Sequence, residues 1–325
     1  MNANYLLRLL CLCFASFFAV NAAAGLLISF LSRAAVRMAG SMRARSATYF
    51  LLAMRFLPCA LGIGAVLALC VPSYLWLEPQ ASSERIGWAC LALALLGAAS
   101  WLVSFARAGR ALSRSVRFDR ACQQTAVATR LLGDSANAVI VEKDAPLLAL
   151  SGILRPRLIV SQVMLRSLSA YELDLALRHE KAHLISGDNL KRLFLLLVPT
   201  PIPMIRSFSS IEHSWAKFSE WAADDEAVRG DSQRALTLAA VLLRAARIGA
   251  APKLSFLQTS LCADDHDLSA RVERLLRIGP LPARPYSARS LAIGSSLGIA
   301  VCAGALLAWP ATLSLVHRLL ELFFQ

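Results

Sequence analysis

The sequence predicts a mostly α-helical membrane protein, with about four transmembrane helices and an α+β domain between the third and the fourth. Three observations predict this fold class: 57% of the 325 residues are hydrophobic, the mean hydropathy is +0.56, and the formal charge is +13. The apolar excess excludes a disordered chain and disfavours an ordinary soluble protein. The basic residues lie in short runs beside the apolar stretches, which indicates the inner face of a membrane, and its lipids, as their partner. Direct binding of nucleic acid is not expected.

Four apolar stretches are each long enough to cross about 30 Å of hydrocarbon, which needs roughly 20 helical residues. They are Leu9–Leu31, Phe56–Leu77, Ile86–Ala106 and Leu291–Val316. The chain therefore divides into three transmembrane helices (1–106), a cytoplasmic domain (107–290), and a fourth transmembrane helix with a short tail (291–325). An alternative for the first stretch is a cleaved signal peptide, because three alanines at 22–24 follow its apolar core.

Arginines near the ends of the stretches predict the orientation, because positive residues resist translocation. They cluster after the first stretch, after the third and before the fourth: Arg33, Arg37, Arg43, Arg45, Arg107, Arg110, Arg114, Arg117, Arg120, Arg284 and Arg289. The connection at 78–85 has no basic excess. We therefore expect a multi-pass protein of the inner (plasma) membrane, with the N-terminus and the last residues outside and the domain at 107–290 in the cytoplasm.

A fifth apolar stretch, Leu193–Ile205, is short and contains Pro199, Pro201 and Pro203. It is predicted to be a buried or re-entrant piece and not a span. Within the spans the ionisable residue is Arg55, at the edge of the second. Transport would require more intramembrane charges, so the sequence disfavours a transporter.

Three short β-prone runs follow the third span: Ala138–Val141, Leu147–Leu150 and Arg157–Val160. They predict a small hairpin or meander. Two roles are open for the last run: as an edge strand it would pair with an extended substrate, and otherwise it packs against the next helix. Helical spacing dominates from Gln162 onward.

A capping box marks the start of the next helix. Ser169 can cap the free amides, and Glu172, three residues on, can reach back to the backbone. The helix is predicted to run through Leu184. It contains the two histidines and the glutamate of an HExxH sequence.

The HExxH sequence places His179 and His183 one turn apart on one face of this helix. Both imidazoles can therefore bind one metal ion, while Glu180 lies beside the open coordination position. This is the zincin signature, so the domain is expected to be a zincin-like α+β domain that binds Zn²⁺. The alternative is a pair of solvent-facing histidines on an amphipathic helix.

A catalytic zinc usually has three protein ligands, and the third is expected from the acidic segment downstream. Glu220 and Asp224 lie four residues apart and share a helical face. We predict Glu220 as the ligand and Asp224 as the residue that holds a ligating imidazole in its correct tautomer. A rival ligand is His213, Asp225 and Glu226 are weaker candidates, and an acidic solvated helix face is the alternative explanation.

These residues predict hydrolysis of peptide bonds. Zinc lowers the pKa of a bound water and polarises a carbonyl. Glu180 is then the general base, which takes the proton of the water and returns it to the leaving amine. The predicted activity is that of a zinc-dependent metalloendopeptidase.

The ordered motifs and spans resemble those of the BlaR/MecR-type integral membrane zinc metallopeptidases, and more distantly those of HtpX-like and CAAX-type membrane proteases. The matching pieces are Gly152–Val160, Leu168–Leu173, His179–His183, Gly187–Asp188, Glu220–Asp224 and Arg271–Leu276. The resemblance implies the same three zinc ligands and the same base, a protease domain that faces the cytoplasm, and a protein or peptide substrate. By analogy with the family, that substrate is a regulatory protein such as a transcriptional repressor.

Two features depart from the family pattern. A β-lactam sensor of this family has a large extracellular penicillin-binding domain after its last span. The sequence between the fourth stretch and Gln325 contains no such domain, so direct antibiotic sensing is not expected. Prolines also replace the usual hydrophobic turn at 198–203. The competing class is a non-proteolytic membrane signalling or scaffold protein that retains the zinc site; the presence of Glu180 favours an enzyme.

Three further residues have open roles. Arg271 and Arg274 either contact the site or bind acidic helix ends. Tyr171 either polarises a carbonyl or packs at the start of its helix.

Overall fold

Three helices are long and apolar enough to cross a membrane within the described parts of the chain. They are α1 (Ala3–Gly40), α2 (Ala44–Ala65), which continues through a π-helical segment (Val66–Cys70) into α3 (Val71–Leu77), and α4 (Trp88–Gln124). The structure is a computed structural model and describes residues 3–77, 87–131, 137–142, 147–153, 156–200, 206–248, 259–260 and 265–277. The first two predicted stretches, and the third from Trp88 onward, are thus helical, and the fourth, Leu291–Val316, lies outside the described residues.

Two glycines allow the spanning helices to pack closely on α1. A Cβ atom on Gly97 of α4 would lie 2.5 Å from the carbonyl oxygen of Phe14, and one on Gly62 of α2 would lie 2.9 Å from the ring of Phe17. Small residues at such crossings are typical of membrane bundles, where close backbone approach replaces a hydrophobic driving force. The two glycines therefore allow α2 and α4 to lie close to α1.

A five-stranded sheet follows α4. Its strands are β1 (Ala126–Leu131), β2 (Asn137–Val141), β3 (Leu148–Ser151), β4 (Arg157–Ser161) and β5 (Thr259–Ser260). Their order across the sheet is β1-β2-β4-β3-β5. β2 and β4 pair in parallel, and the other neighbours pair antiparallel.

The sheet corrects two expectations about the predicted strands. The hairpin is present between β3 and β4, but the meander is wrong because β2 pairs with β4 and not with β3. The edge-strand role of Arg157–Val160 is also wrong, because β4 lies between β2 and β3 and its backbone is paired on both sides. Leu158, Ile159 and Val160 are all buried, as is typical of a central strand.

The remaining helices form the rest of the domain. They are α5 (Gln162–Ser167), α6 (Ala170–Ser186), α7 (Asp188–Leu197), α8 (Arg206–Val228), α9 (Ser232–Ile248) and α10 (Asp265–Leu276). A common core joins β3 and β4 to α6, α8, α9 and α10, so the packing role of Arg157–Val160 is the one observed. In that core Leu158 and Val160 lie with Leu175 and Ala176 of α6.

Helix α6 begins and ends as its sequence dictates. The backbone amide of Ser169 donates to Glu172 Oε2 (2.8 Å), and the amide of Glu172 donates to Ser169 Oγ (3.3 Å). Both halves of the predicted capping box are therefore present. Gly187 ends the helix in the left-handed conformation (φ 68°), which glycine adopts without strain.

The described part of the stretch Leu193–Ile205, which is predicted to be buried or re-entrant, is buried at some positions, whereas Phe194 is 48% exposed. Leu195, Leu196 and Val198 are each less than a tenth exposed. Val198 packs against Phe17 of α1 and Cys59 of α2. Helix α7 therefore ends inside the bundle.

Helix α8 packs along the same membrane helices. Its apolar residues Phe208, Ile211, Trp215 and Phe218 share a core with α1, α2 and α7. The helix that carries Glu220 is consequently anchored to the bundle through its first half.

Candidate metal centre

The two histidines of α6 lie side by side and are fully enclosed. His179 is 0% exposed and His183 is 1% exposed. Their Nε2 atoms are 3.2 Å apart, because residues four apart on a helix point in the same direction. Solvent-facing histidines, the alternative reading of the motif, are therefore excluded.

Glu220 of α8 completes a cluster with the two histidines. Its Oε2 lies 3.5 Å from His179 Nε2, and its Oε1 lies 3.5 Å from His183 Nε2. One ligand atom from each of the three residues lies within 4.8 Å of the others. A tetrahedral ion with bonds of about 2.0–2.1 Å separates its ligand atoms by about 3.3 Å. The cluster therefore has the donor set and the spacing that a divalent metal ion requires.

A carboxylate from the start of α7 holds His183. Asp188 Oδ2 lies 2.7 Å from His183 Nδ1, and Ser219 Oγ of α8 donates to the same oxygen (2.6 Å). Lys191 Nζ donates to the other oxygen, Oδ1 (3.1 Å). The left-handed turn at Gly187 brings Asp188 back beside the helix it follows. Asp188 thus leaves Nε2 of His183 directed at Glu220.

A different carboxylate holds His179. Asp224 Oδ1, one turn beyond Glu220 on α8, lies 2.9 Å from His179 Nδ1. Arg271 of α10 donates twice to Asp224, from Nε to Oδ2 (2.9 Å) and from Nη2 to Oδ1 (2.7 Å). Its third nitrogen, Nη1, lies 3.2 Å from Glu220 Oε2. Arg271 therefore contacts both acidic residues that the sequence singles out.

These carboxylates give the centre a strongly anionic character. Burial opposes the charged form of His183, but Glu220 and Asp188 outweigh it and raise the pKa of His183 to about 10. Burial likewise opposes ionisation of Asp188 and Asp224, yet His183 and Arg271 respectively keep the pKa of each carboxyl below its ordinary value. The carboxylates therefore stabilise positive charge between α6 and α8.

Glu180 is buried beside the cluster and differs from the other acids. It is 1% exposed, and neither carboxylate oxygen has a hydrogen-bond partner among the described residues. Burial raises the pKa of Glu180 to about 7, although the neighbouring histidines lower it. A carboxyl group that titrates near neutrality is suited to accept and return a proton.

The contacts of helix α10 decide between the two roles that the sequence left open for Arg271 and Arg274. Arg271 contacts the site directly, whereas Arg274 makes two bonds of 2.7 and 2.8 Å to Asp225, the neighbour of Asp224. Arginines three apart on α10 thus pair with consecutive aspartates on α8. The matching order of acidic and basic residues was present in the sequence, but the sequence does not indicate which helices meet.

The other candidates from the sequence lie away from the cluster. His213 is exposed on α8, Glu226 pairs with Arg229 (3.0 Å), and Tyr171 is 51% exposed at the start of α6. Asp188 and Ser219, which the structure brings to His183, have no role that local sequence patterns predicted.

The centre is attached to both the sheet and the membrane bundle. Asn189 Nδ2 donates to the carbonyl oxygens of Leu150 (3.2 Å) and Gly152 (2.9 Å), which fixes the start of α7 to the end of β3. On the other side, a cavity of about 120 Å³ is lined by Arg45 of α2 together with residues of α6, α7 and α8. The metal centre is therefore next to the first turn of a spanning helix.

A histidine pair on one helix, a glutamate from a second helix and a buried glutamate beside them define the class of metal-dependent peptidases. A family model described as BlaR1 peptidase M56 matches residues 78–275, which is more than half of the chain. The chain belongs to this family and is a membrane-associated metallopeptidase. No curated protein shows a significant match.

Proposed function

We propose that this chain is a zinc endopeptidase of the cell membrane that hydrolyses peptide bonds on the cytoplasmic side. The observation that carries the proposal is the cluster of His179, His183 and Glu220, with the buried Glu180 beside it. Two imidazoles and one carboxylate are a common ligand set of catalytic zinc. Zinc, when bound there, would act as a Lewis acid that polarises a peptide carbonyl and acidifies water.

The residues of the chain then have separate tasks. Glu180 takes a proton from the attacking water as oxygen adds to the carbonyl carbon. It delivers that proton to the amine as the C–N bond breaks. Asp188 is hydrogen-bonded to Nδ1 of His183, and Asp224 lies 2.9 Å from Nδ1 of His179, so that each Nε2 would carry the lone pair for the metal.

The cytoplasmic location is supported by the distribution of arginines. Helix α4 continues beyond the predicted third span as a basic helix that bears Arg107, Arg110, Arg114, Arg117 and Arg120. Basic residues at this end of a span favour the inner side of the membrane. The short connection from α1 to α2 contains Arg43. Arg45, two residues further on, lines the cavity beside the candidate metal centre. A chain with this orientation would act on cytoplasmic proteins or on segments near the membrane surface.

The proposed substrate is a protein, and membership of the family favours a regulatory protein such as a transcriptional repressor. This part of the proposal is an analogy, because a shared fold does not determine a substrate. A signalling role follows from it: proteolysis of the repressor would change transcription without a soluble messenger.

The proposal is tested by metal content and proteolysis of the full-length protein in detergent. The variants are Glu180→Gln and His183→Ala, and the readouts are zinc per chain and cleavage of casein or of the chain itself. We expect wild type to hold about one zinc and to cleave, Glu180→Gln to hold zinc without cleavage, and His183→Ala to lose the metal.

Other results separate the competing explanations. Zinc without cleavage in wild type would favour a scaffold or an enzyme that awaits its signal. Wild type without zinc would contradict the proposed site. Equal cleavage by wild type and Glu180→Gln would exclude Glu180 as the base.

A further inference from the structure

Arg55 is a buried charge within the second spanning helix. It is 1% exposed, and such a charge is costly at membrane depth unless it is paired. Its Nε donates to Glu212 Oε1 (2.7 Å), and its Nη2 donates to Thr200 Oγ1 (3.1 Å) and to the carbonyl oxygen of Val198 (3.4 Å). The guanidinium also lies 5.1 Å from the centre of the Phe208 ring. The fold thus surrounds this one charge with partners.

These partners lie on α8 and directly after the end of α7, the two helices that meet at the candidate metal centre. Val198 is the residue that caps the C-terminal end of α7, where helix carbonyls lack partners within the helix. Glu212 lies in the first half of α8. One guanidinium of the membrane helix α2 therefore joins the end of α7 to α8.

The same two helices are joined again at the metal centre. Asp188 starts α7 and holds His183, and Ser219 of α8 donates to Asp188 (2.6 Å). The two junctions are separated by roughly 15 Å along α7 and roughly 10 Å along α8, at 1.5 Å per residue. Helices are stiff over such lengths, so a rotation or slide at the Arg55 junction displaces Ser219 and Glu220 relative to the histidines.

We propose that Arg55 is a positioning residue for the metal centre: it sets the relative placement of α7 and α8 from within the membrane bundle. The inference rests on the proposed metal site of His179, His183 and Glu220. Neither membrane insertion nor peptide hydrolysis requires the charge of Arg55, and the inference gives that charge a role. The geometry of the metal centre then depends on the packing of the membrane bundle.

The test measures Co²⁺ binding and its visible d–d absorption in full-length protein in detergent micelles, because that absorption reports the coordination geometry. For Arg55→Met we expect at least about tenfold weaker Co²⁺ binding and a shifted spectrum, as for other residues that support metal ligands. Glu212→Gln should show a smaller change in the same direction. Arg55→Lys retains a charge near Glu212 and should recover most of the affinity.

Two control variants separate positioning from general damage. Leu12→Ala removes a buried side chain of α1 from a core that contains no residue of α7 or α8, so it should lower the melting temperature without changing the Co²⁺ spectrum. Arg178→Met removes an exposed arginine next to His179, paired with Asp174, and should change neither.

The inference is overturned if folded Arg55→Met and Glu212→Gln both bind Co²⁺ with the affinity and spectrum of wild type. It is also overturned if Leu12→Ala shifts the spectrum as much as they do. Should Arg55→Met fail to fold, Glu212→Gln and Arg55→Lys decide the question. If wild type binds no Co²⁺, the proposed metal site itself fails. The Arg178→Met control would then bind none either, which distinguishes this outcome from a failure of the Arg55 inference.

Discussion

The two histidines of the proposed metal centre lie on the same helix, but different residues support them. His179 lies beside Asp224, which is 1% exposed and bound twice by the buried Arg271. His183 is held by Asp188, whose partners are Ser219 and the partly exposed Lys191. One support is a buried ion pair between α8 and α10, and the other is a buried carboxylate bonded to a serine and to a lysine whose side chain is 16% exposed.

This difference indicates that two histidines proposed to bind the same ion need not be equally sensitive to substitution of the residues beside them. A charge left without its partner in the interior keeps its full desolvation cost, whereas a lysine near the surface can turn to water. The His179 side should therefore tolerate substitution less well than the His183 side. The predictions below test this asymmetry in order of decreasing effect.

The largest effect is expected for Arg271→Met, because it leaves Asp224 buried with no cation and removes a contact of Glu220. Breaking a buried ion pair typically costs about 3–5 kcal/mol of stability. Chemical unfolding and zinc titration in detergent measure the loss. The matched control is Arg274→Met, which breaks the more exposed pair with Asp225 and should cost about 1 kcal/mol or less. Equal losses for the two variants would contradict the comparison.

The comparison is most direct between Asp224→Asn and Asp188→Asn. Residues that orient metal-binding histidines contribute about 10–100-fold to metal affinity. We expect Asp224→Asn near the upper end of that range, because the buried Arg271 then loses its two-bond ion pair and keeps only the contact with Glu220, and Asp188→Asn near the lower end. Competition with a zinc chelator measures both. A reversed order would show that His183, and not His179, is the ligand that limits affinity.

Ser219→Ala should have a smaller effect, since Asp188 retains Lys191 and His183 after the 2.6 Å hydrogen bond is lost. We expect about a fivefold loss of zinc affinity, equivalent to roughly 1 kcal/mol. Ser214→Ala changes another buried serine of α8 and serves as the control. A loss as large as that of Asp188→Asn would mean that Ser219 contributes more to zinc affinity than its one hydrogen bond to Asp188.

The smallest effect is expected at the start of α6, which both histidines share. Ser169→Ala removes an N-cap and should cost about 1 kcal/mol of stability without a change in zinc affinity.

Burial opposes the charge of Glu172, but the bonds to Ser169 and Arg244 lower its pKa. The contribution of this carboxylate is therefore present above its ordinary pKa and is lost as the pH falls through the lowered value. Unfolding measured as a function of pH, with Glu172→Gln as the pH-insensitive reference, tests this sign.

Local patterns in the sequence were enough for some of the elements and for part of the centre. Apolar length predicts the three described spans, the capping box predicts the start of α6, and helical spacing places His179 beside His183 and Glu220 in phase with Asp224. Each of these depends on residues within a few positions of one another, where backbone geometry alone determines the result.

The tertiary structure decided everything that joins distant segments. It placed β4 inside the sheet and not at its edge, brought Arg271 from α10 to Asp224, and brought Ser219 to Asp188. It also paired Arg55 with Glu212 across 157 positions of chain. The physical reason is that strand order and ion pairing depend on which surfaces meet after the core has packed, and no short-range periodicity carries that information.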